Sequence, residues 1–110
     1  MANTGNSIKN DPIREIAGGS ITDTFQPIQS VGNAFLRNAF RVTITNWTDG
    51  DVYLSTDGET DQMKMPAFSA RILDDKTNDM YRRAGTEYSV RYDMTPGSPT
   101  GWLTLEVEYV

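Results

Sequence analysis

Residues 40–56 read FRVTITNWTDGDVYLST, and this stretch decides the fold class. Phe40, Val42 and Ile44 fall on one side of an extended chain while Arg41, Thr43 and Thr45 fall on the other, the period-two pattern of a strand buried on one face. Thr48-Asp49-Gly50-Asp51 then interrupts with turn-forming residues, and Val52 and Leu54 resume the alternation. Working outward, residues 102–109 repeat the pattern. Leu103, Leu105, Val107 and Tyr109 point to a core, and Trp102, Thr104, Glu106 and Glu108 point to solvent or another subunit. Tyr88, Val90 and Tyr92 supply a third inward row, and three such faces can close a sandwich.

The rest of the chain has the same texture: the short runs IREIAGGSI, TFQPIQSV, QMKMPAF and SARILD are punctuated by Asp57-Gly58 and Thr95-Pro96-Gly97-Ser98-Pro99. The expected fold is all-β, an antiparallel β-sandwich, Ig-like or jelly-roll-like, of about seven or eight short strands. Val42, Ile44, Val52, Leu54, Val90, Leu103, Leu105 and Val107 are its expected core. Helix is limited to a single turn at 33–38 or 78–83, too short to stand alone. The sandwich is expected to span 13–110. Residues 1–12, MANTGNSIKNDP, have Ile8 as their one bulky apolar group after the initiator Met, so they are expected to form a flexible N-terminal arm that orders against a neighbour.

Inventory removes most chemistry. With 110 residues the chain has room for one core and little room for a deep active site. The absence of Cys and His excludes disulfides, ordinary zinc sites, thiol nucleophiles and imidazole bases. A net charge of −5 argues against nucleic acid as the main partner. No apolar run reaches the ~18 residues of a membrane span, and the first thirty residues lack a secretory pattern. The expectation is a soluble, non-enzymatic protein without cofactor or membrane partner.

Several constellations still bear on function. Asp49, Asp51, Asp57, Glu59 and Asp61 crowd one window and could hold Ca²⁺, yet the spacing does not match a calcium loop, and acids in turns cap their own backbone. Asp74-Asp75 with Asn78 and Asp79 reads the same way. Glu106 and Glu108 share a strand face about 6.5–7 Å apart, a spacing compatible with an acid and base pair, but on a solvated face no burial sets one carboxyl apart from the other. Trp47 and Trp102 stand at strand ends where exposed rings could stack on sugars, although aromatics more often serve cores and subunit contacts. Asn46-Trp47-Thr48 matches a glycosylation acceptor and reads here as a strand-to-turn transition. Arg82-Arg83, near Arg71 and Lys76, would suit an acidic neighbouring subunit. The candidate partner-binding residues are Asn3, Thr4, Asn6, Ile8 and Lys9 of the arm, together with Arg82, Arg83 and Trp102.

Finally, the run from Arg41 resembles small virion proteins of tailed bacteriophages. In these, a strand ending in Asn-x-Thr-Asp (Asn46, Thr48, Asp49) leads to one ending in Ser-x-Asp-Gly (Ser55, Asp57, Gly58). A Pro-Ala-x-Ser turn follows (Pro66, Ala67, Ser69), and then a Thr-Asn pair (Thr77, Asn78). The lead-in IAGGSITDTFQPIQSVGNAFLRNAF and the Gly85–Tyr92 strand are similar to the flanking segments of that pattern, so the resemblance covers roughly 13–110. It implies a multi-copy accessory subunit of the head-tail junction, tail or capsid surface, made in the host cytoplasm and located in the virion. Its partners would be portal, adaptor, tail or capsid subunits and further copies of itself. A carbohydrate-binding or calcium-stabilised adhesin module is the alternative.

Overall fold

The computed structural model describes residues 9–29, 31–74 and 82–109. They form nine strands: β1 (Lys9–Asn10), β2 (Arg14–Ala17), β3 (Gln26–Pro27), β4 (Arg41–Asn46), β5 (Val52–Ser55), β6 (Met63–Met65), β7 (Ser69–Asp74), β8 (Ser89–Tyr92) and β9 (Trp102–Tyr109). Their antiparallel pairing is nested: β1 and β2 with β9, β3 with β8, β4 with β7, β5 with β6. Lateral pairs β4·β9 and β5·β8 join these into two sheets, β1/β2-β9-β4-β7 and β3-β8-β5-β6. A long hairpin folded over itself in this way is a jelly roll. The nine strands reduce to eight positions, because β1 and β2 are two halves of one edge strand.

The core is where alternation placed it. Val42, Ile44, Leu103, Leu105 and Val107 of the first sheet meet Val52, Leu54, Val90 and Tyr92 of the second, all 0% exposed. Burying each aliphatic side chain contributes about 1.5–3 kcal/mol. Phe40 and Tyr88 are buried as well. Ile21, Ile28 and Phe35 complete the core from loops, where no alternation marks them. Tyr109 lies past the end of the core, half-buried, with the Arg37 guanidinium 5.5 Å from its ring centre.

The 48–51 turn does not close a hairpin, since β4 and β5 belong to different sheets and the turn crosses between them. Asn46 holds that crossing. Its buried amide donates to the carbonyls of Gly50 (3.0 Å) and Pro66 (3.1 Å), and its Oδ1 accepts from Thr48 N (3.0 Å) and Thr48 Oγ1 (2.6 Å). Near it, Gly101 adopts φ +78°, and a Cβ there would collide with the Trp47 carbonyl oxygen, so the β4·β9 end requires glycine.

The edge strand begins earlier than composition suggests. Residues 9–12 fall within the expected arm, yet Lys9 and Asn10 pair with Tyr109 and Glu108, and Asp11 N donates to Val107 O (3.0 Å). Residues 1–8 lie outside the described segments. Between Asn10↔Glu108 and Arg14↔Leu105, three residues oppose two, so a β-bulge interrupts the ladder. The extra residue shifts the phase: Ile13 is 56% exposed, whereas Arg14 points inward and is buried. No helix forms at 33–38. Instead, Asn33 Nδ2 donates to Tyr88 O (3.0 Å) and Phe35 N to Thr86 O (2.9 Å), tying the loop to β8. A 3₁₀ turn occurs at Gly18–Ser20, and the 78–83 candidate falls mostly outside the described residues.

Candidate partner-binding face

The pairing register of the first sheet determines which side chains share its outer face. Ala17, Trp102 and Trp47 form one cross-strand row, with Trp47 N donating to Trp102 O at 2.8 Å. Glu15, Thr104, Thr45 and Ala70 form the next. Glu106, Thr43 and Ile72 follow, with Ile13 beside Glu106 at the bulge. Asn10, Glu108, Arg41 and Asp74 make the last row, closed by Arg41 to Glu108 (3.1 Å) and to Asp74 (3.3 Å). Phe68, one residue before the Ser69↔Asn46 pair, stands at the tryptophan end.

This face is unusually apolar for a solvent side. Trp47 is 60% exposed, Trp102 51%, Phe68 65% and Ile72 63%. Isolated exposed apolar residues are ordinary, but several on one face mark an interaction surface. Phe68 also holds φ +56°, the left-handed region that side chains with a Cβ avoid. Of the groups assigned to these rows, Glu15, Glu106, Glu108 and Asp74 are acidic and Arg41 is basic, so the formal charge is 1 − 4 = −3.

The outer face of the second sheet handles its aromatics differently. Phe25, the residue before β3, lines up with Arg91 of β8, Tyr53 of β5 and Lys64 of β6. The Arg91 guanidinium carbon lies 4.6 Å from the Tyr53 ring centre and 5.7 Å from that of Phe25, and Lys64 Nζ lies 5.6 Å from Tyr53. Asp61 anchors Arg91 (Nε to Oδ1, 2.8 Å) and Asp93 pairs with Lys64 (3.4 Å). The guanidinium beside Asp61 holds its carboxyl below the usual range, and Asp93 raises Lys64. Ring and cation satisfy one another here.

The acids of the 49–61 window are mostly engaged. Asp49 accepts from Thr100 N (3.1 Å), Asp51 from Ala67 N (3.0 Å), and Asp57 Oδ1 from Ser55 Oγ (2.6 Å) and the Glu59 and Thr60 amides (2.8 Å each). Those donors push Asp57 well below the ordinary carboxylate range, led by the Ser55 hydroxyl. Among the described residues, no three acidic groups converge in a metal-holding arrangement. Asn46, the glycosylation-like position, is buried and spent on hydrogen bonds.

The sequence-selected partner-binding residues do not form one cluster. Trp102 joins the outer face. Lys9, exposed on β1, sits at the opposite end of β9, opposite Tyr109. Arg82 forms a bridge with Ala39, and exposed Arg83 follows it. Asn3, Thr4, Asn6 and Ile8 lie outside the described residues, as do Lys76, Asp75, Thr77, Asn78 and Asp79. Sequence reasoning missed Phe68, Ile72 and Ile13. Ile72 lies in SARILD, whose two sides, Ser69, Arg71 and Leu73 against Ala70, Ile72 and Asp74, are equally mixed, and Phe68 and Ile13 sit in a turn and a bulge, so alternation marks none of the three. No protein-family model matches the chain, and no curated protein matches it.

Proposed function

We propose that the protein is a non-enzymatic structural subunit of a tailed-phage particle, present in several copies and binding neighbouring virion proteins through the outer face of its first sheet. The observation that carries this reading is the row of exposed Trp47 and Trp102 with Phe68 beside it, on a sheet whose opposite side packs the core through Val42, Ile44, Leu103, Leu105 and Val107. Aromatic side chains of this kind dominate the energetics of protein interfaces. The turn pattern shared with small phage virion proteins supports the particle setting, and jelly rolls serve as capsid domains, an association of fold rather than of site. The remaining edges are protected against unspecific pairing: β6 has three residues, β3 has two including Pro27, the β1/β2 edge is bulged, and β7 carries Arg71 on its inward side.

The test is incorporation. When the chain is produced together with the particle proteins of its own phage, it should band with purified particles, and Trp47→Ala/Trp102→Ala should abolish this while the isolated variant stays folded. Absence of the unaltered chain from particles would refute the reading. A second reading, a carbohydrate-binding module, draws on the same exposure of both tryptophans, since exposed indoles stack on pyranose rings. Saturable quenching of tryptophan fluorescence by a neutral oligosaccharide would favour it, and its absence favours the subunit.

A further inference from the structure

The two outer faces of this sandwich both carry rings, carboxylates and cations, but they combine them differently. On the second sheet, aromatic rings alternate with cations, Phe25-Arg91-Tyr53-Lys64, and carboxylates stand behind the cations. On the first sheet the rings and the carboxylates are present, and the one cation of its rows, Arg41, is spent on Glu108 and Asp74 at the far end. Among the described residues, however, no cation stacks on Trp47, Trp102 or Phe68, while the carboxylate of Glu15 stands on the next row and that of Glu106 on the row after it. We propose, resting on the subunit reading above, that this face docks an Arg- or Lys-bearing segment of a different particle protein, which supplies the missing cations.

Charge and area both narrow the occupant. A second copy meeting this face through a twofold axis would set −3 against −3, an arrangement that opposes association. A basic surface is drawn to it, and guanidinium groups stack on indole while pairing with carboxylates. The three rings expose roughly 350 Å² between them, taking about 200 Å² for each aromatic. A standard interface covers about 800 Å² per partner. The partner must therefore extend over the Thr45/Thr104 and Thr43/Ile72 rows, toward Glu106.

The experiment uses the full chain and two blocked octapeptides, one alternating Arg and Ser, the other Glu and Ser, in calorimetric titrations at low and moderate salt. The Arg peptide should bind saturably and more weakly as salt rises, and the Glu peptide should not bind. Glu15→Lys/Glu106→Lys and Trp47→Ala/Trp102→Ala should each weaken binding by about tenfold or more. The charge-matched control Asp23→Lys/Glu59→Lys, on exposed positions outside this face, should change it little. Equal binding of both peptides, no saturable binding of the Arg peptide, or equal weakening by the control would overturn the proposal. Particle incorporation separates the two readings. If Trp47→Ala/Trp102→Ala is lost from particles while Glu15→Lys/Glu106→Lys is retained, the cationic partner is wrong and the subunit role stands. If the unaltered chain is absent from particles, the role itself fails.

Discussion

The guanidinium of Arg14 lies 3.2 Å from the carboxylate of Asp11, with the two side chains 2% and 1% exposed. Around this pair, Arg14 Nε donates to Asn33 O (2.7 Å) and Nη2 to Ala34 O (2.7 Å), the guanidinium sits 5.4 Å from the Phe35 ring centre, and Asp11 Oδ2 accepts from Leu36 N (3.2 Å). One bulged edge strand is thereby locked onto the 33–36 loop. Asp11 Oδ1 is buried with no partner among the described residues, so the arrangement is held at some cost.

Removing one member of such a pair leaves a buried charge alone. Asp11→Ala is expected to destabilise the fold by about 3–5 kcal/mol, and Arg14→Met added to it should recover part of that loss. A chain beginning at Pro12 should show a similar deficit, because it lacks both β1 and Asp11. Urea unfolding followed by circular dichroism measures all three. A truncated chain as stable as the full one would show that the pair is dispensable.

The register of β9 is tested by neighbours of opposite orientation. Leu105 is fully buried and Thr104 lies on the outer face. Leu105→Ala should cost about 2–5 kcal/mol, whereas Thr104→Ala should stay within about 0.5 kcal/mol. The reverse order in denaturant midpoints would place the strand one residue out of phase.

Acid should destabilise the protein through exposed carboxylates that the fold holds ionised. Asp57 is lowered by Ser55, Thr60 and Glu59 as donors, and Asp61 by Arg91. A folded value below the unfolded one (about 3.9 for Asp) means that their contribution is fully present above that pH and is lost as pH falls toward the folded values. Melting temperature should therefore decline below about pH 4. Ser55→Ala, which removes the largest cause at Asp57, should shrink the decline.

Phe68 is expected to trade stability for binding. Its left-handed backbone is unfavourable for a residue with a Cβ, and its ring gains little from its own domain at 65% exposure. Phe68→Gly should leave stability unchanged or raise it by about 0.5–1 kcal/mol, the relieved strain being partly offset by the freer unfolded chain. The same variant should bind the Arg peptide less tightly. A clear fall in melting temperature would mean that the ring packs against its own sheet.

The class of fold and most of the core were legible locally. Period-two alternation marked Val42, Ile44, Leu103, Leu105 and Val107 as inward because a pleated strand sends successive side chains to opposite faces whatever strand lies next to it. The turn acids were legible for the same reason, since Asp57 answers to residues within three positions of it. What only the tertiary structure decided was non-local. Nested pairing sent the chain from β4 across to the other sheet at 48–51 instead of closing a hairpin, and that choice rests on contacts far apart in sequence. The bulge at 11–13 reversed the alternation, turning Ile13 out and Arg14 in, because one extra residue opposite β9 shifts the phase of everything before it. Trp47 and Trp102 are 55 positions apart and became neighbours through the β4·β9 register, and the β4·β7 register brought Phe68 to the same end from the turn before β7. Each of these residues can be read alone in the chain, but a face is a property of strands side by side, and strand order is determined by burial of the whole sandwich.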